Sequence, residues 1–338
     1  MTTTARAWCR VDLAGGTLDI WPLGLLHPGA ATVNLSIDLP ATVELRRVER
    51  GWVVLQGDEK HRCEHRRELL ERPETSLVGV VAEALDLPPM EIRLASASPR
   101  GGGLGASSAL VVALLAAVDA ALGKPTASPY ERAAVARDLE AQLMSLPTGT
   151  QDHFGAQLGG VLEIRYPPGG IVVRRLEGVD LPALGRSLVV AYTGQSHFSA
   201  GSNWQVVRRR LDGEAEVLRH FEGIAAAASR VAEALEAGDL PAVGRAVSDE
   251  WSHRRQLAEG VSTAQIEDML SAAASAGAWG GKACGAGGGG CLAVLCPPSA
   301  RPAVEAALAR HGGRLIAVQP IAEPLAVDGR PVIDPAQL

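Results

Sequence analysis

The chain has 338 residues, a formal net charge of −6, 47% hydrophobic and 21% charged residues, which is the composition of a globular protein with room for one large or two moderate domains. The acidic balance argues against nucleic acid or an anionic membrane surface as the main partner, and no apolar run reaches the about 20 uncharged residues of a membrane helix. The opening Met1-Thr2-Thr3-Thr4-Ala5-Arg6 has no apolar signal core, so a cytoplasmic location is expected. Cys9, Cys63, Cys284, Cys291 and Cys296 form no CxxC pair; they support neither a disulfide framework nor zinc and read as small buried hydrophobes.

In chain order, 7–13 reads as a strand and 33–48 as two further extended stretches. Between them runs Ala14-Gly15-Gly16-Thr17-Leu18-Asp19, a glycine-broken loop. Arg10 and Asp19 flank it; each also fits a plain role, as a surface strand residue and as a turn or cap residue. A short strand is predicted at 51–56. The segment 58–74 carries dense mixed charge and reads as a solvated face. A helix at 76–85 and a strand at 91–95 lead into Pro99-Arg100-Gly101-Gly102-Gly103-Leu104-Gly105-Ala106-Ser107-Ser108, followed by a helix over 109–122. Glycines that let backbone amides approach a charge, feeding a helix N-terminus, make an anion site for which phosphate is the natural guest. The run lacks the lysine of a Walker loop and does not fit the Rossmann GxGxxG spacing.

A helix predicted at 129–146 ends in Leu146-Pro147-Thr148-Gly149-Thr150-Gln151-Asp152-His153. The Pro147/Gly149 loop would hold Asp152 in a fixed place, either as a proton acceptor or as a cap for the next element. His153 is expected to face solvent. Strands follow at 161–166, 171–176 and 187–193. Leu181-Pro182-Ala183-Leu184-Gly185 is the best linker candidate, dividing the chain into 1–184 and 185–338. Helices are predicted at 204–210, 220–237, 240–257 and 262–276. The third ends in Trp251-Ser252-His253-Arg254-Arg255, basic residues that either answer the helix dipole or bind a second phosphate. A second glycine run, Gly280-Gly281-Lys282-Ala283-Cys284-Gly285-Ala286-Gly287-Gly288-Gly289-Gly290, precedes a strand at 292–295, a helix at 300–311 and a last strand at 314–320.

Three of these stretches resemble, in order, the motifs of the GHMP kinases. Pro99-x-Gly-Gly-Gly-Leu-Gly-Ala-Ser-Ser is similar to the family's central ATP-binding motif, with Ala106 where serine is usual. Arg10 to Asp19 is similar to the N-terminal motif, with Gly16 and Thr17 replacing the Glu-His of galactokinases. Lys282 to Gly290 is similar to the third motif. The resemblance implies an α+β, two-domain fold, with an N-terminal mixed α/β domain and a C-terminal ferredoxin-like domain. It implies an ATP- and Mg²⁺-dependent kinase acting on a hydroxyl. Pro99, Gly101, Gly102, Gly103, Gly105, Ala106, Ser107 and Ser108 would hold the nucleotide. Ser107 and Glu140 match the family's magnesium ligands, Asp152 its base, and Arg10 the residue beside the transferring phosphoryl group. Gly16, Thr17, Asp19, Gly149, Thr150, Tyr192, Arg255 and Gly287 would face the acceptor. Several segments look most like the heptose 7-phosphate kinase branch, but Thr150 stands where that branch carries lysine. A phosphate on the acceptor would then need His197, His253, Arg254 or Arg255. A neutral sugar or cyclitol kinase and a non-catalytic nucleotide- and sugar-binding sensor are the alternatives. The sequence is silent on oligomeric state.

Overall fold

A computed structural model describes residues 1–196 and 200–333, with side chains from Trp204 onward in the second stretch. The first sheet is built from β1 (Thr2–Ala14), β2 (Ala31–Arg47), β3 (Trp52–Gln56), β4 (Glu59–Cys63), β5 (Met90–Ser96), β6 (Val161–Arg165) and β7 (Val172–Arg175). The second contains β8 (Leu188–Tyr192), β9 (Gly280–Ala283), β10 (Cys291–Leu295) and β11 (Arg314–Ile316). Two short strands, β12 (Ala326–Val327) and β13 (Arg330–Pro331), complete the first sheet, whose order is β13-β12-β1-β2-β5-β3-β4 with β6 and β7 branching from β2.

The helices are α1 (Leu23–Leu26), α2 (Pro73–Ala84), α3 (Ala106–Ala121), α4 (Pro129–Met144), α5 (Gln151–Leu158) and α6 (Leu181–Ser187) in the first half. In the second half they are α7 (Ala200–Leu211), α8 (Ala215–Glu236), α9 (Leu240–Arg254), α10 (Ala264–Ser275) and α11 (Arg301–Arg310). The second sheet runs β11-β8-β10-β9 with every pair antiparallel. With helices between β8 and β9 and again between β10 and β11, this is the ferredoxin-like split βαβ arrangement.

The long β1–β2 hairpin is the axis of the molecule. Alternation along β1 sends Val11 and Leu13 into an apolar core and turns Arg10 and Asp12 to the cavity described below. One core lies between the first sheet and α2 to α5, the second between β1–β2, α8, α9 and the second sheet, and a third under α10 and α11. α3 carries a buried run from Val111 to Val118, so it forms the centre of the first core rather than an amphipathic edge.

Several local expectations are corrected. The two extended stretches at 33–48 are one strand, β2, with a register shift where Trp8 pairs Pro40 and Cys9 pairs Ile37. A proline has no amide to give the ladder, so the irregularity falls at Pro40. The linker at 181–185 is helix α6, with Pro182 in its first turn and the Asp180 side chain accepting from the Ala183 amide at 2.8 Å. The division proposed at 184 therefore falls inside a helix between the two sheets. The chain also crosses back: β12 pairs β1 at Ala5 and Arg6. Its hairpin with β13 turns on Asp328 and Gly329, both at positive φ, a two-residue turn that the sequence reading passed over. The predicted strand at 314–320 shortens to β11. No described helix is long and apolar enough to cross a membrane.

Candidate active site

A cavity of about 880 Å³ opens between the glycine run before α3, the loop after β1, the α4–α5 turn and the second glycine run. Arg10 from β1 lines it. The Arg10 guanidinium reaches Asp152 Oδ1 through Nε (2.7 Å) and Nη2 (2.6 Å) and donates from Nη1 to the Gly103 carbonyl (2.7 Å). Burial opposes this guanidinium's charge, but the carboxylates of Asp152 and Asp12 more than compensate and hold it protonated. Asp152 lies in the first turn of α5, not in a loop, where the helix N-terminus favours a carboxylate. Both Arg10 contacts fall on Oδ1. The other carboxylate oxygen, Oδ2, faces Gly105, whose Cβ, if present, would lie 3.4 Å away.

The glycine run before α3 forms a cradle of bare backbone. Gly101, Gly103 and Gly105 have φ of +65°, +71° and +72°, and Gly105 caps α3 from the left-handed region. The α3 helix begins at Ala106, so Ser107 and Ser108 sit in its first turn. The second glycine run packs directly on this loop: a Cβ on Gly103 would meet the Cys284 carbonyl at 2.4 Å, and the Cys291 amide donates to the Gly102 carbonyl at 2.8 Å. Lys282 is in strand β9 rather than in the glycine loop.

Glu140 lines the cavity beside Ser107. Ser108 Oγ donates to its Oε2 at 2.9 Å, and His153 Nε2 lies 2.8 Å from the same oxygen. His153 is thus buried, not solvent-facing. One residue after Asp152 on α5 it turns about 100° round the helix and meets α4. Burial works against its charge, but the Glu140 carboxylate raises its pKa; Glu140, whose burial alone would push it up, is held lower by His153 and the serines. Among the described residues no three side chains of the metal-ligating types form a cluster, so there is no all-protein metal cage. One carboxylate and one hydroxyl beside a phosphate cradle fit Mg²⁺, which keeps waters and uses substrate oxygens.

Asp12, Gly16, Thr17, Asp19, Gly149, Asp152 and Gly287 line the same cavity. Asp19 is wedged against Gly149, where a Cβ would fall 1.8 Å from its Oδ2, and that oxygen accepts from the Gln151 amide at 3.1 Å. Burial, then the charge of Asp152, pushes the Asp19 carboxyl up to about 6. Thr17 holds φ of +74° in the turn closed by the Leu18 amide on the Gly15 carbonyl at 3.2 Å. A β-branched residue there costs on the order of 1–3 kcal/mol.

Three residues assigned to the acceptor lie elsewhere. Thr150 is buried away from the cavity lining. Tyr192 is in β8 with the Arg314 guanidinium 5.4 Å over its ring, also outside the lining. Arg255 is on the surface, 2.5 Å from Glu267. His253 contacts His220, with 3.3 Å between their Nδ1 atoms. His197 lies outside the described residues.

The sequence reading missed a buried charge network behind the loop after β1. Lys282 Nζ bridges Asp12 Oδ2 and Glu250 Oε2, each at 3.1 Å. Glu250 in turn pairs with Arg254 one turn along α9 and accepts from the Gly15 amide at 3.3 Å. The i,i+4 spacing of Glu250 and Arg254 was a visible signal for part of it.

A left-handed glycine loop facing an Arg–Asp pair in a carboxylate-lined cavity has the chemistry that phosphoryl transfer needs. The fold and the comparisons agree with that class. The N-terminal domain of the GHMP kinases matches residues 75–160, and their C-terminal domain matches 231–314. The D-glycero-alpha-D-manno-heptose 7-phosphate kinase of Campylobacter jejuni is 25% identical over 316 residues, 90% of this chain and 92% of that protein. The mevalonate kinase of Methanothermobacter thermautotrophicus is 30% identical over 240 residues, 67% of this chain and 72% of its own. Among solved structures, a D-glycero-D-manno-heptose 1-phosphate kinase from Bacteroides thetaiotaomicron superposes with a TM-score of 0.75 at 21% identity, covering 97% of this chain and 98% of that one. Lactococcus lactis galactokinase with galactose superposes at 0.79 and 15% identity, covering 96% and 95%. The chain belongs to the GHMP kinase family, and it is an ATP-dependent kinase acting on a hydroxyl group.

Proposed function

We propose that this kinase transfers the γ-phosphoryl group of ATP to a hydroxyl of a sugar or sugar phosphate, in the manner of the heptose-phosphate kinases it resembles. The observation that carries the reading is the Arg10–Asp152 pair at the junction of the glycine cradle and the carboxylate-lined acceptor half. The acceptor oxygen forms a bond to the γ-phosphorus as the bond to the bridging oxygen of ADP breaks. The hydroxyl proton passes to Asp152 Oδ2, the oxygen that Arg10 leaves free. Arg10, held by Asp152 and by the Gly103 carbonyl, presents fixed positive charge where negative charge shifts. Asp19 accepts hydrogen bonds from other acceptor hydroxyls, and Gly16, Thr17 and Gly149 shape the wall around them. The amides of the glycine cradle and of the α3 start bind phosphate oxygens. Ser107 and Glu140 would hold Mg²⁺, which supplies charge neutralisation on the phosphates when bound. A cytoplasmic location, where ATP is supplied, is part of this reading.

One observation favours a neutral sugar or cyclitol within this class. Among the described lining residues the cationic side chains are Arg10 and Arg100. Arg254 and Lys282 are committed to buried carboxylates, and Arg255 lies outside. A phosphate brings −1.5 to −2 of charge at neutral pH. In this acceptor half it would meet Asp12, Asp19 and Asp152.

The test is ADP release from Mg-ATP with D-glycero-D-manno-heptose 7-phosphate, D-galactose and myo-inositol, with the product identified by ³¹P NMR. Turnover with the heptose phosphate supports the first reading, and turnover confined to neutral polyols supports the second. ATP binding without turnover on any of them contradicts both.

A further inference from the structure

The turn Gly15–Leu18 has the hydrogen bond of a β-turn and positive φ at its third residue, a position that glycine normally fills. Here it is Thr17, a β-branched residue, although two glycines stand just before it. The side chain therefore does something that glycine could not. Its Oγ1 is 3.0 Å from Arg254 Nη1, and Arg254 Nη2 donates to the Gly16 carbonyl at 2.7 Å. The guanidinium fork grips both sides of the Gly16–Thr17 peptide. That peptide is the one whose orientation distinguishes a turn with positive φ from one without.

Arg254 comes from α9, more than 230 positions away, and is itself fixed. Its Nε donates to Glu250 Oε1 at 2.8 Å, and Glu250 is tied through Lys282 to Asp12 on β1. Arg254, Glu250, Lys282 and Asp12 are each at most 2% exposed. The turn opens directly onto Asp19 and lines the acceptor half of the cavity with Gly16 and Thr17.

We propose that Arg254 is a positioning residue for the phosphate acceptor. From the C-terminal half it holds the Gly15–Leu18 turn in its left-handed form, and through the turn it sets Asp19 and the acceptor-facing wall. It touches no reacting atom, and it is not a phosphate ligand. This role rests on reading the cavity as a kinase acceptor site.

The variant Arg254→Lys keeps the charge opposite Glu250 but cannot grip Gly16 and Thr17 together. In the full-length protein, with D-galactose and D-glycero-D-manno-heptose 7-phosphate as acceptor probes, it is expected to raise the acceptor KM about tenfold or more and leave the KM for Mg-ATP within about twofold. Thr17→Gly added to Arg254→Lys is expected to recover most of that loss, since glycine takes the turn without the fork. Hydrogen exchange of the amides of residues 15–20, which needs no acceptor, should speed up in Arg254→Lys and slow again in the double variant. Thr17→Val keeps volume and branching without the hydroxyl and should speed the same amides, which provides the reading if Arg254→Lys does not fold. Unchanged exchange in a folded Arg254→Lys or Thr17→Val overturns the proposal. So does an equal loss for ATP and acceptor that Thr17→Gly fails to recover. If the natural sequence phosphorylates neither these probes nor myo-inositol, the functional reading fails while the exchange measurement still decides the role of Arg254.

Discussion

Asp19 shows how a single side chain can be set against the stability of its own fold. It is buried between Gly149 and Asp152, and its pKa is raised to about 6 by burial first and the neighbouring charge second. The ionised form is the one penalised in the folded chain. The penalty is therefore absent below the unfolded carboxylate range and complete above about pH 6. Asp19→Asn is accordingly expected to stabilise the protein by up to about 3 kcal/mol at pH 8 and by close to nothing at pH 4. Denaturant melts at the two pH values measure this, and equal effects at both would remove the assignment. Ser107 and Glu140 make a second prediction at this scale. Ser107→Ala combined with Glu140→Gln should shift the Mg²⁺ dependence of turnover upward about tenfold or more; an unmoved Mg²⁺ titration would show that they do not hold the ion. Thr150 and Tyr192 illustrate what single positions do not reveal. Motif alignment put them at the acceptor, but which way a side chain points from a helix cap or a strand depends on the tertiary packing around it.

At the level of elements, the glycine run and α3 were legible because their physics is local. Positive φ, absent Cβ atoms and a helix start are all written in consecutive residues. The packing of the second glycine run on the first is not local, yet its signature is also glycine, since Gly103 and Gly290 allow backbones to touch. Gly103→Ala sets a methyl 2.4 Å from the Cys284 carbonyl at a φ of +71°. It should lower the melting temperature and weaken ATP binding about tenfold or more, which calorimetry with a non-hydrolysable ATP analogue can check. The elements that were misread have a common cause. α6 and the β12–β13 hairpin depend on short capping and turn signals, Asp180 with Pro182 and Asp328 with Gly329, inside segments too short for apolar periodicity to show.

For the molecule as a whole, the cavity is assembled from segments across the sequence: Arg10 from β1, the glycine cradle, Asp152 from α5 and the second glycine run. Sequence alone supplied the order of these pieces and their chemistry. It could not supply the network Asp12–Lys282–Glu250–Arg254, because charged residues read as surface unless the partners that make burial tolerable are known. The central claim is that all these segments converge on one reaction with Asp152 as its base. The measurement that tests it most directly compares Asp152→Asn with the natural sequence, following ADP release at saturating Mg-ATP and acceptor alongside calorimetric ATP binding. The account predicts that turnover falls by about 10²–10⁴-fold while the ATP dissociation constant stays within a few-fold. Turnover near that of the natural sequence, with ATP bound as before, would contradict it.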